Sequence, residues 1–80
     1  MKLTILSKPG CHLCDEMKTV VAKVAGRFGV DVEEVDISAD PDLMQQYGEQ
    51  IPVLMWEGKK IAKYRISEAD LIRRIDKVTN

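Results

Sequence analysis

Pro9-Gly10-Cys11-His12-Leu13-Cys14-Asp15 joins a short apolar run to a longer stretch with helical periodicity. Upstream, Lys2-Leu3-Thr4-Ile5-Leu6 is apolar and β-prone and stops at the turn residues Ser7-Lys8-Pro9-Gly10, so it reads as a buried strand. Downstream, Leu13, Met17, Val20, Val21, Val24 and Phe28 form the stripe of an amphipathic helix, with Gly26 and Gly29 weakening its end. Cys11 and Cys14 therefore sit between a strand and the first turn of a helix. In that setting a Cys-x-x-Cys spacing becomes a redox motif.

The remainder of the chain extends the same alternation. Val30 to Ile37 reads as a second strand whose alternation changes phase at Glu33-Glu34, a change that a bulge or a later start would explain. Asp40-Pro41-Asp42 combines an N-cap, a proline suited to the first helical position and an acid suited to the positive helix end, and predicts a short helix to about Tyr47 with Gly48 behind it. Ile51-Pro52-Val53-Leu54-Met55-Trp56, the turn Glu57-Gly58 and Lys59 to Lys63 predict a hairpin. Ser67, with Asp70 at the third helical position, caps a last helix whose apolar face is Leu71, Ile72, Ile75 and Val78. The order β-α-β-α-β-β-α predicts an α/β fold: a right-handed parallel β-α-β unit, an antiparallel hairpin in the same sheet, and helices on both faces.

Composition narrows the function. Eighty residues, of which 45% are hydrophobic, make one domain over 1–80 with a single core. A formal charge of -1 lacks the basic footprint of a dedicated nucleic-acid binder. No apolar run approaches the roughly 20 residues of a membrane span, and the N-terminal run is too short for a signal peptide, so the expected location is the cytoplasm. Asp31 through Gln50 is acidic and Lys59 through Lys77 largely basic, which reads as solvated faces.

Two thiols at this spacing carry the chemistry. Unpaired N–H groups and the macrodipole at a helix start favour a thiolate, so Cys11 is the predicted nucleophile, with a pKa below the free-cysteine value of about 8.5. Cys14, one turn on and on the same face, is the predicted resolving thiol. His12, when protonated, and Lys8 add positive charge near the nucleophile, while Asp15 and Glu16 oppose it; His12 is equally readable as an exposed helix-start residue. On the dipeptide alone, Pro52 is a trans proline at a strand entrance.

Cys-His-Leu-Cys after a short strand, Val35-Asp36-Ile37, Asp40-Pro41 before a helix, Tyr47-Gly48, and Ile51-Pro52-Val53 opening a hairpin resemble a glutaredoxin-like protein of the thioredoxin superfamily. The likeness spans nearly the whole chain and is greatest to a small bacterial family with a Pro-Gly-Cys-His-Leu-Cys-Asp motif, matched by Pro9 through Asp15. It implies a four-stranded mixed sheet, dithiol–disulfide exchange through Cys11 and Cys14, and a cis bond before Pro52 that leaves the Ile51 backbone groups to pair with an extended substrate. Two departures stand out. Well-characterised glutaredoxins have Pro-Tyr where this chain has His12-Leu13. They also carry a Gly-Gly pair and an acidic residue, which hold glutathione, where it has Lys63-Tyr64-Arg65-Ile66-Ser67-Glu68. Ser67 and Glu68 would meet the amino-acid end of such a ligand and Arg65 or Lys8 its carboxylates, although Ser67 also reads as an ordinary helix cap.

The leading expectation is thus a monomeric thiol–disulfide oxidoreductase with catalytic Cys11 and Cys14 and a substrate surface formed by Lys8, His12, Ile51, Pro52, Ser67 and Glu68. It would act on protein disulfides or glutathione mixed disulfides without a tightly bound cofactor, and be re-reduced by glutathione or a thioredoxin-reductase-like partner. Two other classes stay open. One is zinc or iron–sulfur binding by the cysteine pair in a dimer, the chain itself supplying no metal site. The other is a non-catalytic redox sensor that exposes Pro52 and Trp56 to a partner.

Overall fold

Leu3, Ile5 and Leu6 are buried because their strand, β1 (Lys2–Ser7), runs through the middle of a sheet with helices on both sides. A computed structural model describes the backbone of residues 1–79 and the side chains of residues 1–76. The elements follow as α1 (His12–Phe28), β2 (Asp31–Asp36), a single 3-10 turn (Ile37–Ala39), α2 (Pro41–Tyr47), β3 (Val53–Trp56), β4 (Lys59–Lys63) and α3 (Glu68–Thr79). The sheet order is β2-β1-β3-β4. β1 pairs parallel with β2 and antiparallel with β3, and β3 pairs antiparallel with β4.

Strand alternation divides the apolar residues between two layers. On one face Leu3, Ile5, Leu54 and Trp56 pack with Met17, Val21 and Val24 of α1 and Leu71 and Ile75 of α3. On the other, Leu6 and Val53 pack with Cys14, Ile37 and Ile51, and Leu43, Met44 and Tyr47 from the α2 side close over them. The predicted apolar face of α3 is thus partly seen in Leu71, Ile75 and the half-buried Ile72; the side chain of Val78 lies outside the described residues.

Local chemistry sets the element ends. Asp40 Oδ1 accepts the N–H groups of Asp42 and Leu43 at 3.0 and 3.3 Å, and Pro41 opens α2 where no N–H is needed. Ser67 Oγ accepts the Asp70 N–H at 3.1 Å and caps α3. Gly29 takes φ 66° behind α1, and the Val30 N–H returns to the Ala25 carbonyl at 3.0 Å. The hairpin turn holds Glu57 at φ 51° and Gly58 at φ 84°, the positive pair of a type I′ turn. The Glu57 carboxylate accepts the Lys2 N–H at 3.0 Å and its own N–H donates to the Lys2 carbonyl at 3.1 Å, which ties the turn to the start of β1.

Three expectations require correction. The phase change in the second strand is neither a bulge nor a late start: β2 keeps an unbroken register with β1 from Lys2↔Asp31 to Ser7↔Asp36. As an edge strand it sends Val35 toward the α2 face, while Val32 lies on the other face and is 44% exposed; Ile37 belongs to the turn that follows. Phe28 falls off the buried stripe and is exposed at the last residue of α1, where the chain turns away at Gly29. Ile51 and Pro52 precede β3 rather than belonging to it.

The burial contrast is measurable. Leu71→Ala removes a fully buried side chain and should cost about 2–5 kcal/mol in urea unfolding. Phe28→Ala should stay within about 0.5 kcal/mol; equal losses in the two variants would contradict this packing.

Candidate redox site

The site grows from the unsatisfied N–H groups at the start of α1. Cys11 is the N-cap, in extended conformation, and its Sγ accepts the Cys14 N–H at 3.2 Å. Its carbonyl accepts the Asp15 N–H at 3.3 Å. Cys11 and Cys14 form a disulfide with Cα atoms 5.2 Å apart. The two sulfurs differ in setting: Cys11 is half-buried at the edge of the α2-side cluster, whereas Cys14 is 1% exposed inside it beside Leu6, Ile37, Ile51 and Val53.

Of the residues expected to line the site, Ile51 and Pro52 lie with the cysteines. Ile51 shares their cluster, Pro52 is buried, and the bond between them is cis. Among the described residues, no hydrogen bond within the chain uses the Ile51 N–H or carbonyl. His12 is the first residue of α1, exposed and without a hydrogen-bond or ion-pair partner among the described residues.

The other expected residues have neighbours of their own. Lys8 lines a small cavity of about 120 Å³ toward β2, with Lys18, Glu34 and Asp36. Ser67 is engaged as the α3 cap, and the Glu68 carboxylate lies 4.0 Å from Lys23 of α1. Arg65, expected to meet a ligand carboxylate, has Glu16 at 3.9 Å. The exposed Pro52–Trp56 surface of the sensor reading does not exist, because both side chains are buried, Trp56 at 1% exposure. Among the described residues no three of His, Cys, Asp or Glu converge on a metal position.

Tyr64, which the sequence marked only as part of the segment standing where glutaredoxins carry a glycine pair, has no role assigned to it there. Its N–H donates to the Pro52 carbonyl at 2.8 Å, its hydroxyl donates to the Glu49 carbonyl at 3.1 Å, and its φ is 68°. A tyrosine after a strand carries no turn signature of its own.

A match to the family model for the Glutaredoxin-like domain (DUF836) covers residues 2–76. The chain belongs to this family. This glutaredoxin-like domain superposes on XcR50 from X. campestris with a TM-score of 0.80 at 26% identity, covering 94% of this chain and 96% of that one. Ne2328 from Nitrosomonas europaea gives 0.78 at 25% identity, over 91% and 88% of the two chains. NrdH-redoxin from Escherichia coli, a glutaredoxin-like protein with a thioredoxin-like activity profile, gives 0.66 at 22% identity over 94% and 95%, a likeness of fold. The glutaredoxin-like domain thus has the thioredoxin-like fold, and among the described residues no helix is long and apolar enough to cross a membrane.

One acid near Lys8 is held below its ordinary range by its hydrogen bonds. The Ser38 hydroxyl and then the Ser38 N–H, donating to Asp36 Oδ1 at 2.6 and 2.9 Å, hold the Asp36 carboxyl below its ordinary 3.8. Because the folded value is the lower one, this contribution to stability is present above the unfolded carboxyl value and is lost as pH falls through the folded one. An NMR titration of Asp36 should show a midpoint below 3.8, and Ser38→Ala should move it upward; an unmoved midpoint would remove the hydroxyl as the cause.

Proposed function

We propose that this glutaredoxin-like domain is a dithiol–disulfide oxidoreductase. The observation that carries the reading is the unequal pair, a half-buried sulfur capping a helix and a buried one a turn later, beside a backbone segment with free hydrogen-bonding groups.

In the reduced chain the Cys11 thiolate attacks one sulfur of a substrate disulfide. A Cys11–substrate mixed disulfide forms and the other substrate sulfur leaves as a thiolate. Cys14, deprotonated, then attacks the Cys11 sulfur, forming the Cys11–Cys14 disulfide and releasing the second substrate thiolate. Two electrons pass from the protein dithiol to the substrate disulfide, and the two thiol protons end on the products. The N–H groups at the start of α1 stabilise the attacking thiolate, as the bond from the Cys14 N–H to Cys11 Sγ illustrates. Lys8 adds positive charge on the loop, His12 stands exposed at the helix start beside the nucleophile, and Ile51 and Pro52 present substrate-binding backbone. Ser67 and Glu68, held on the α1 and α3 side, act as structural surface residues.

The substrate is a protein disulfide or a glutathione mixed disulfide. Glutathione or a thioredoxin-reductase-like partner restores the dithiol, and the thioredoxin-like activity profile of the NrdH-redoxin favours the second. In this reading the chain works as a monomer in the cytoplasm, where such reductants keep thiols reduced.

Cys11→Ser should reduce turnover of a disulfide substrate to the uncatalysed rate. Cys14→Ser should complete the first step and accumulate a mixed disulfide detectable by intact mass; a Cys11→Ser variant that still turns over would refute the mechanism. Equilibration across glutathione redox buffers, with alkylation and mass analysis, should show one two-electron transition between about -270 and -120 mV. Alkylation of the reduced protein against pH should give a Cys11 midpoint below about 8.5. Thiols that stay unmodified across the whole series would favour metal binding by the pair.

A further inference from the structure

Tyr64 is the most strained residue near the site. An aromatic residue at φ 68° is an outlier, because its Cβ crowds the backbone in the left-handed region. The Arg65 N–H also donates to the Lys63 carbonyl at 2.8 Å, two residues back. That bond around a positive-φ centre is a γ-turn of the rarer, strained form, with Tyr64 at its apex. Strain of this kind persists only where surrounding contacts enforce it, and it concentrates at functional sites.

The enforcing contacts point at one segment. The Tyr64 N–H holds the Pro52 carbonyl at 2.8 Å and the Tyr64 hydroxyl holds the Glu49 carbonyl at 3.1 Å. One residue thereby grips the chain on both sides of Ile51. Ile51 itself packs beside Cys14, and its N–H and carbonyl have no partner in the described chain. The Lys63 ammonium lies 5.5 Å from the Tyr64 ring centroid, a cation–π contact on the same residue. Tyr64 also stands between two surface grooves. One runs against α1 with Met17, Val20 and Ile66; the other runs along the end of α2 with Met44 and Gln50.

We propose that Tyr64 is a positioning residue for the substrate chain: by clamping the Glu49 and Pro52 carbonyls it holds the Ile51 backbone groups ready to pair with an extended peptide that carries the disulfide. The proposal rests on the redox reading above and names its substrate class, a disulfide within a polypeptide. Backbone pairing of this kind adds a short strand-like contact, so it acts only on substrates that have a peptide backbone to offer. The chemistry at sulfur is left to Cys11 and Cys14.

The test compares two disulfides in single turnover with pre-reduced protein. One is an unstructured peptide of about ten residues with an internal disulfide, and the other is bis(2-hydroxyethyl) disulfide, which has no peptide backbone. Tyr64→Phe removes the bond to Glu49 and keeps the ring, and should lower the peptide rate constant about fivefold, the weight of one net hydrogen bond. The rate with the small disulfide should stay within about twofold. Tyr64→Gly, which fits the left-handed backbone without strain, should lower the peptide rate at least as much while the thermal midpoint is retained. Unchanged peptide rates in both variants, or equal losses with both disulfides, overturn the proposal and leave the redox reading standing. Wild-type protein that reduces neither disulfide overturns the redox reading and this proposal together.

Discussion

The Cys14 N–H donating to the Cys11 sulfur is the contact on which the rest of the molecule turns. A helix leaves its first N–H groups without intrahelical partners, and something must accept them. Here the acceptor is a sulfur rather than a serine or aspartate oxygen. The same atom therefore ends the loop, starts α1 and presents the reactive group. β1 delivers the chain to this point from the middle of the sheet, where both of its faces are buried. The cysteine pair is consequently carried by a strand packed on both faces, and helix start and sulfur cannot be displaced independently.

The two apolar layers have different tasks. The face shared by α1 and α3 holds Trp56, Leu71 and Met17, Val21 and Val24 of α1, and involves no site residue. The face toward α2 is smaller and includes Cys14 and Ile51 among its members. Packing and chemistry are thus continuous on one side of the sheet and separate on the other. Cys14 is at once a core residue and a redox partner, which keeps it shielded from solvent while Cys11 stays reachable.

Much of this was legible because it is local. Asp40-Pro41 and Ser67 announced their helices since a capping bond joins neighbours in the chain, and Glu57-Gly58 announced the hairpin since turn geometry is a property of two residues. The cysteine spacing marked the site for the same reason. What escaped depends on distant partners. Val32 and Val35 divide between two faces because β2 is an edge, which no window of eight residues can reveal. Ser67 and Glu68 were expected at a ligand's amino-acid end from their place at a helix start, and in the fold they meet Asp70 and Lys23. Tyr64 acts through carbonyls at Glu49 and Pro52, more than ten residues earlier, and nothing beside it in the sequence announces them.

The two rims of the sheet have opposite signs, acidic along β2 and basic along β4. Two copies meeting β2 to β2, or β4 to β4, would set like charges side by side. The remaining combination, β2 of one copy against β4 of another, is the one that could propagate into a ribbon. Glu33 is already bound by Lys2 at 2.7 Å and Glu34 by Lys18, so two of the four acids of β2 have lysine partners within their own molecule. β4 in turn bends where its register with β3 shifts between Leu54 and Met55. Charge and irregularity on an open rim disfavour pairing with a further strand, although the same ion pairs add little to folding stability.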